Sequence, residues 1–291
     1  VIAIRSFDAF YEFIECSYYT LSLFLMVKFI THLSDIKISN IMNIMSVDKR
    51  IRANFGFGHY NALGAACVLV IMLTLYLHKI QKVRKVDYMF VVISVIMLLC
   101  SASRNAITGI VIFFIAYIIK RMKYSRINPR VVVAIKCLFI LLIISTIPFM
   151  YELNYSEILK ASQRSLIFYV AFPLYMKSGR ILMGLGYASN ADYGSNLTPY
   201  MTSWLDNSYM YYLITTGVIG FAIIMIALVV IWRGLEKNKN AESTEIICCM
   251  YYVYMYMGLF EVTIFESGSL LNYVYLPLFI FGAAKKGKIL E

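Results

Sequence analysis

Long apolar runs separated by short basic loops are the feature that most constrains what this chain can fold into. The stretch from residue 61 to 78 contains no Asp, Glu, Lys or Arg, and comparable stretches recur along the sequence. A run of about 20 predominantly apolar residues is long enough to cross the hydrocarbon core of a bilayer as an α-helix. The repeated runs therefore predict an all-α polytopic membrane protein, organised as a single integral membrane domain over residues 1–291.

The composition agrees with this fold class and argues against a soluble protein. Of the 291 residues, 61% are hydrophobic and only 15% are charged, and the mean hydropathy is +0.73. So low a charged fraction does not suit a soluble domain of this length. The net charge of +11 is accounted for by the excess of Lys and Arg that cytoplasmic loops carry, so we expect no nucleic-acid partner.

The six cysteines all lie in or at the edge of apolar runs, and none has the spacing of a zinc site. They are Cys16, Cys67, Cys100, Cys137, Cys248 and Cys249. We expect them to be small buried hydrophobic residues.

Eight apolar stretches are expected to cross the membrane. They are residues 17–33, 61–78, 87–102, 106–119 and 131–150, a sixth span that is entered through residues 203–209 and runs to residue 232, and residues 245–265 and 269–284. Residues 1–16 are expected to form an interfacial or linking helix, because their apolar residues recur with loosely helical spacing. Residues 151–206 are expected to form one long extracytoplasmic loop, within which residues 156–177 are amphipathic.

The distribution of Lys and Arg between alternate loops predicts the orientation in the membrane. Fifteen of them lie in one set of loops, at residues 79–86, 120–130, 233–239 and 285–288. Only nine lie in the other set, which is about three times as long, at residues 34–60, 103–104 and 151–206. Basic loops stay on the cytoplasmic side. Both termini are therefore expected inside, and the second set of loops is expected on the outer face.

A dense polar cluster, Lys49 to Gly64, stands immediately before the second expected span. Its glycines allow a tight turn or a close approach to a ligand. Its two arginines, Arg50 and Arg52, offer forked donors suited to phosphate or pyrophosphate. His59 can move a proton near neutral pH. The cluster therefore predicts chemistry at the membrane interface.

Five arginines fall on the expected outer face, although the positive-inside bias normally depletes arginine there. They are Arg50, Arg52, Arg104, Arg164 and Arg180. Their presence predicts an anionic ligand such as a lipid pyrophosphate. The alternative is that they are solvated loop charges or anchors to lipid headgroups.

Four short motifs follow one another between about residues 50 and 220. They are Arg52 with Phe55-Gly56-Phe57-Gly58-His59-Tyr60-Asn61-Ala62-Leu63-Gly64; Ser103-Arg104-Asn105-Ala106; Ser178-Gly179-Arg180 with Gly184-Leu185-Gly186; and Asp206-Asn207-Ser208-Tyr209 with Gly217-Val218-Ile219-Gly220. In this order they resemble the Wzy-type polysaccharide polymerases and the related O-antigen ligases of bacteria. The chain departs from that family in having Tyr60 where proline is common and in having fewer spans. Because it also opens with Val1 rather than Met, we expect an N-terminal portion to be missing.

The resemblance implies a glycosyltransferase of the bacterial cytoplasmic membrane. Such enzymes join undecaprenyl-pyrophosphate-linked oligosaccharide repeat units into capsule, O-antigen or exopolysaccharide. Besides that lipid-linked substrate and the bilayer, the implied partners are a flippase and a chain-length regulator.

The residues fit this reaction class. The leaving group would be a lipid pyrophosphate, whose growing negative charge fixed arginines can stabilise without a metal. The expected outer face carries no Asp-x-Asp pair and the sequence no His/Cys cluster, so we expect neither a metal nor another cofactor. The candidates for the base that takes the acceptor hydroxyl proton are His59, Asp206 and Glu261.

Each candidate side chain also has a structural interpretation. His59 could cap or brace its loop, and Asp206 could be the N-cap of the sixth span. Glu261, about one turn from the outer end of the seventh span, is expected to pair with a site arginine, because a lone acid is costly there. Three tyrosines are expected to pack at the interface rather than stack on sugars, namely Tyr209, Tyr211 and Tyr212.

Two other functions stay open at this point. An O-antigen ligase would use the same donor but pass the glycan to another acceptor, such as lipid A core or a protein. A flippase or transporter of lipid-linked sugars would require paired ionisable residues near mid-membrane and broken spans. The centres of the expected spans are almost free of charge and the polar residues gather at one face, which favours a transferase.

Overall fold

A computed structural model describes seven stretches of the chain, and every regular element in them is helical. The stretches are residues 7–36, 52–80, 84–124, 172–186, 207–238, 242–265 and 271–284. They contain eight α-helices: α1 (Phe7–Thr31), α2 (Tyr60–Ile80), α3 (Lys85–Ser101), α4 (Arg104–Tyr124), α5 (Phe172–Lys177), α6 (Ser208–Lys237), α7 (Glu242–Met257) and α8 (Asn272–Ala283). The expected fifth span, 131–150, and most of the expected amphipathic segment, 156–177, lie outside the described residues.

Three of these helices are long and apolar enough to cross a membrane, namely α1, α2 and α6. Within the described stretches, helices overlap seven of the eight expected spans. Helices α3, α7 and α8 have 17, 16 and 12 residues, so α3 is at the lower limit of the length of a spanning helix and α7 and α8 are below it. The apolar helices indicate an all-helical, membrane-embedded protein.

Three expected boundaries are wrong. Helix α1 is continuous from Phe7, so the linking helix and the first span are one element, and no Gly or Pro interrupts the sequence there. Helix α4 begins at Arg104, two residues early. Helix α7 ends at Met257 rather than at residue 265, because the following residues bond to the start of α6 instead. Glu261 therefore lies in a non-helical loop and not inside a span.

The described cysteines differ in their exposure. Cys67, Cys100, Cys248 and Cys249 are buried, which confirms the expectation for them. Cys16 is exposed, so the expectation is wrong there. The reason is that Cys16 lies on the outward stripe of α1 that also carries Leu23 and Val27. Cys137 lies outside the described residues.

The chain forms two compact units. The first unit comprises residues 1–117, 230–257 and 265–291, and the second comprises residues 118–229 and 258–264. In the first unit α2 is the central helix, because it packs against α1, α3 and α7. Of its most apolar stretch, 78% is buried, which is typical of a helix that is hydrophobic on all sides.

A buried polar network ties α1, α2 and α3 together near the start of α3. The Tyr18 hydroxyl donates to Asp87 Oδ1 at 3.2 Å, and Thr74 Oγ1 donates to the Tyr18 oxygen at 3.2 Å. Asp87 Oδ2 accepts the backbone N–H of Arg84 at 2.7 Å. The Arg84 guanidinium reaches Glu15 at 3.4 Å. Because Asp87 is buried, these bonds offset the cost of removing its carboxylate from water.

At the other end of α3, only Ala102 and Ser103 separate it from α4. Ala102 has a left-handed φ of 47°, and its N–H bonds to the Leu99 carbonyl at 3.1 Å. The tight turn expected at residues 103–105 is therefore one residue earlier. Here α2 and α4 approach closely, since a Cβ built on Gly64 would lie 2.8 Å from Ala106 Cβ.

Replacing Gly64 with leucine is expected to destabilise the protein by about 2 kcal/mol, because a side chain forced into a packed contact strains both helices. Ala62 is exposed on the same helix, so Ala62→Leu is the matched control and should unfold at the wild-type temperature. Thermal unfolding of the purified variants in one detergent measures the difference. Equal unfolding temperatures for the two variants would contradict the close contact between α2 and α4.

Candidate functional site

The loop before α2 begins with a tight turn at Asn54-Phe55-Gly56-Phe57. The Phe57 N–H donates to the Asn54 carbonyl at 2.8 Å, and Phe55 and Gly56 have φ values of 48° and 69°. Two left-handed residues in succession define a type I′ turn, which glycine adopts easily and phenylalanine resists. Burial offsets that strain, because the Phe55 side chain is fully enclosed and lies parallel to the Phe29 ring at 6.3 Å.

The C-terminal end of α1 supports this turn. Lys28 Nζ donates to the Gly56 carbonyl at 3.2 Å. A Cβ on Gly56 would lie 2.7 Å from the His32 ring, so only glycine leaves room for that ring. The Phe24 and Phe57 rings meet edge to face at 5.5 Å. Lys28 thus runs from the apolar surface of α1 to a polar loop, as snorkelling lysines do.

His59 is the N-cap of α2. Its Nδ1 accepts the backbone N–H of Asn61 at 3.3 Å, and its carbonyl accepts the N–H of Leu63 at 3.2 Å. With Nδ1 as an acceptor, the neutral imidazole carries its proton on Nε2. The capping interpretation of His59 is therefore confirmed. In this geometry the exposed ring presents a donor at Nε2 rather than a base, and such a donor suits an anionic oxygen.

Arg52 stacks on the first residue of α2. Its Cζ lies 3.9 Å from the centroid of the Tyr60 ring, and the His59 ring centroid lies 4.3 Å from the same ring. Stacking restricts the plane of a guanidinium while its N–H edges stay available for hydrogen bonds. The backbone beside Arg52 is fixed as well, because the Ala53 N–H donates to the Cys100 carbonyl at 3.1 Å.

Arg104 lies at the N-terminus of α4, next to the N-terminus of α2. Ser103 Oγ donates to Asn61 Oδ1 at 2.9 Å, and this bond joins the N-terminal ends of α2 and α4. Arg104 follows Ser103 directly, is the first residue of α4, and is exposed. We call the group formed by Arg52, His59, Asn61, Ser103 and Arg104 the arginine end of the first unit.

Electrostatics at the arginine end favours an anion. Helix N-termini carry partial positive charge from their backbone N–H groups, and two of them are joined here. Arg52 and Arg104 add two full charges, and Lys28 adds a third on the adjoining turn. Like charges repel more strongly as the dielectric falls. A bound polyanion would relieve this repulsion.

Asn105 adds a buried polar group beside Arg104. It is 9% exposed, and its Oδ1 has no hydrogen-bond partner within the described stretches. A buried amide oxygen without a partner costs free energy.

In the second unit, Asn207 is the N-cap of α6. Its Oδ1 accepts the N–H of Met210 at 2.9 Å, and its Nδ2 donates to the Leu259 carbonyl at 2.9 Å. The interpretation of Asp206 as the cap is therefore wrong, because the next residue occupies that position. Asp206 itself lies outside the described residues.

Ser208 holds the loop of residues 258–264 against the start of α6. Its Oγ donates to the Glu261 carbonyl at 2.8 Å and accepts the N–H groups of Thr263 and Ile264 at 2.8 and 3.1 Å. The backbone of Glu261 is therefore fixed at the N-terminus of α6. A carboxylate is electrostatically favourable in that position.

Two glycine motifs meet at a break in α6. Gly217 has φ 68° and ψ −174°, which interrupts the helix. A Cβ on Gly184 would overlap the backbone of Thr215, and one on Gly217 would overlap the backbone of Leu182. Glycine is therefore required at both positions, because the two backbones touch.

Hydrogen bonds run in both directions across this break. The N–H groups of Leu185 and Gly186 donate to carbonyls of α6 before the break, at Ile214 (2.8 Å) and Thr215 (3.0 Å). The N–H groups of α6 after the break, at Val218 and Ile219, donate to carbonyls of residues 181 and 182 at 2.9 and 3.2 Å. The broken ends of the helix are thus satisfied by the segment of residues 181–186.

Tyr175 in α5 anchors the same segment. Its hydroxyl donates to the Ile181 carbonyl, and its ring lies in a hydrophobic cluster with Met210 and Ile214. Burial raises the pKa of the Tyr175 hydroxyl, so the group stays protonated and keeps its role as a donor.

The structure brings part of the expected site together. Arg52, His59 and Arg104 share the arginine end of the first unit. In the second unit, the backbone of Glu261 is bonded to Ser208 at the start of α6. Arg180 directly precedes Ile181, whose carbonyl is bonded to Val218 beyond the break. The distance along α6 from Ser208 to Val218 is roughly 15 Å, so the structure does not bring Glu261 and Arg180 together. The three remaining candidates, Arg50, Arg164 and Asp206, lie outside the described residues.

Comparison with known proteins identifies no family. No protein-family model matches the chain, and no curated protein matches it. The resemblance to Wzy-type polymerases therefore depends on the four sequence motifs alone.

Replacing Ser208 with alanine is expected to loosen the loop of residues 258–264. The change removes the partner of two N–H groups and one carbonyl, and a buried unsatisfied polar group costs about 1–3 kcal/mol. Amide hydrogen exchange at Thr263 and Ile264 should then accelerate by about tenfold or more. Thr108→Ala is the control, because that hydroxyl bonds to the Arg104 carbonyl in its own helix. Wild-type exchange in Ser208→Ala would show that other contacts hold the loop.

Proposed function

We propose that this protein is a glycosyltransferase that polymerises undecaprenyl-pyrophosphate-linked oligosaccharide repeat units. The observation that carries the proposal is the arginine end, where Arg52, His59 and Arg104 lie at two helix N-termini that a hydrogen bond joins. The order of the four sequence motifs supports the same reaction class. The product would be a capsule, an O-antigen or an exopolysaccharide.

In the proposed reaction, a hydroxyl of the acceptor sugar attacks the anomeric carbon of the donor glycan. The bond between that carbon and the pyrophosphate oxygen breaks, and the lipid pyrophosphate leaves with one additional negative charge. The guanidinium groups of Arg52 and Arg104 and the Nε2–H of His59 would donate to its oxygens. Because these donors are held in place beforehand, little reorganisation is needed as the charge develops.

The remaining roles fall to the other candidate residues. The proton of the attacking hydroxyl needs a base, and since His59 acts as a donor in this geometry, we assign that role to Glu261 or Asp206. Further pyrophosphate contacts are assigned to the other arginines of the expected outer segments, namely Arg50, Arg164 and Arg180.

We further propose that the chain crosses a bacterial cytoplasmic membrane eight times, with both termini in the cytoplasm. The alternation of basic loops supports this topology. It puts the N-terminal ends of α2 and α4 on the outer face, where flipped lipid-linked repeat units would be found.

Cysteine labelling tests the topology. In a cysteine-free background, a membrane-impermeant maleimide added to intact cells is expected to label Ser195→Cys but not Lys237→Cys. The second variant should be labelled only after the cells are opened, because Lys237 is exposed at the end of α6. Labelling of Lys237→Cys from outside would overturn the proposed orientation.

Replacing Arg52 or Arg104 with alanine is expected to abolish long polymer, with a loss of about 100-fold or more in turnover for each lost donor at the leaving group. The lysine variants should also be impaired, because lysine lacks the planar fork that grips two phosphate oxygens. Polymer length in a strain lacking the natural gene, at equal membrane expression, measures the effect. Binding of undecaprenyl pyrophosphate to the purified variants in nanodiscs gives a second readout.

Arg233 provides the matched control. It is an exposed arginine near the C-terminal end of α6, which the proposed topology puts on the cytoplasmic side. Arg233→Ala should retain both polymer length and pyrophosphate binding. Normal polymer in both Arg52→Ala and Arg104→Ala would refute the pyrophosphate role. Transfer of single units to a separate acceptor, without lengthening, would indicate a ligase instead.

A further inference from the structure

The break in α6 lies within the hydrocarbon if this helix is a membrane span. Helix α6 contains the most apolar stretch of the three candidate spans in the described part of the chain. Between Gly217 and the first following charge, Arg233, there are 15 residues. They cover only about 22 Å, whereas a bilayer core is about 30 Å thick. The apolar region must therefore extend past the break towards Ser208 by about one helical turn or more.

The segment bonded to this break is apolar on its exposed side. Leu182 and Met183 are 62% and 73% exposed. They adjoin Val218 and Ile219, which are 44% and 45% exposed on the surface of α6. The exposed apolar face of α6 continues one turn further at Ile223. These five side chains form one apolar surface.

Hydrocarbon is the occupant that fits this surface. Any backbone at this depth must find its hydrogen-bond partners within the protein. Residues 181, 182, 185 and 186 do so by bonding to α6. Non-helical backbone inside a membrane is tolerated under that condition, and the apolar side chains then face lipid without cost.

We infer that residues 181–186 form a re-entrant element that dips into the hydrocarbon beside α6, with Leu182 and Met183 facing acyl chains. This differs from the expectation that residues 151–206 lie wholly outside the membrane. The inference depends on α6 being a span and not on the reaction that the protein catalyses.

The element has a consequence for Arg180, which rests on the proposed function. Arg180 is exposed and directly precedes the first bonded residue of the element, Ile181. Its backbone therefore lies about one helical turn below the boundary between hydrocarbon and headgroups, and its long side chain can reach that boundary as snorkelling arginines do. The pyrophosphate of a polyprenyl lipid lies at that level, so Arg180 would meet the ligand from the membrane side.

A nitroxide scan tests the location. In a cysteine-free background reconstituted in liposomes, single spin labels are placed at Met183→Cys and Leu182→Cys. Power saturation compares collision with oxygen, which concentrates in hydrocarbon, and with a nickel chelate, which stays in water. Ile223→Cys is the hydrocarbon control and Lys177→Cys, at an exposed lysine, is the water control. All four sites are exposed, so the substitutions leave the core intact.

The expected result is that labels at 182 and 183 match the oxygen-to-nickel ratio of the label at 223. A match to the label at 177 would overturn the inference. As a second readout, Met183→Asp should lower the amount of folded protein in membranes, because a charge in hydrocarbon is costly. Lys177→Asp serves as its control and should be tolerated. Equal yields of both variants would also count against the re-entrant position.

Discussion

A backbone N–H or C=O group in a membrane interior has no water to bond to, so it must find a hydrogen-bond partner within the protein. The structure of the second unit depends on supplying these partners. Gly217 breaks the helix with the highest hydropathy, which frees polar groups on both sides of the break. The segment of residues 181–186 supplies acceptors for one side and donors for the other. This exchange needs the two backbones in contact, and the glycines at 184 and 217 make the contact possible. The irregular segment of residues 181–186, which is distant in sequence, thereby completes the backbone hydrogen bonding of α6.

The first unit positions cationic side chains at the N-terminal ends of two helices, α2 and α4. The Arg52 guanidinium lies over the Tyr60 ring, the His59 ring accepts a backbone N–H of α2, and the Ser103–Asn61 hydrogen bond holds the residue that precedes Arg104. Stacking on Tyr60 leaves the N–H edges of the Arg52 guanidinium available for hydrogen bonds. The strained turn at Phe55 and Gly56 belongs to the same arrangement, because it sets the path by which Arg52 reaches Tyr60.

The sequence predicts the helical class well, because a long apolar run can satisfy its backbone hydrogen bonds within a membrane by forming an α-helix. It also places Arg52, His59 and Arg104 in segments that turn out to adjoin. It fails where tertiary contacts decide. Helix α7 ends early because Ser208, about fifty residues away, binds the following loop. The cap of α6 is Asn207 rather than Asp206, a one-residue difference that composition does not resolve. Nothing local in either glycine motif indicates that the two would meet.

The loop that carries Glu261 has a further property, which follows from how it is tied. The chain from Asn207 to Ile264 is closed on itself, because residues 207 and 208 make five hydrogen bonds to residues 258–264. While any of these bonds persists, breaking another releases almost no chain entropy. The ends of the ring should therefore separate together or stay together. We therefore expect these bonds to hold or release the backbone of Glu261 cooperatively.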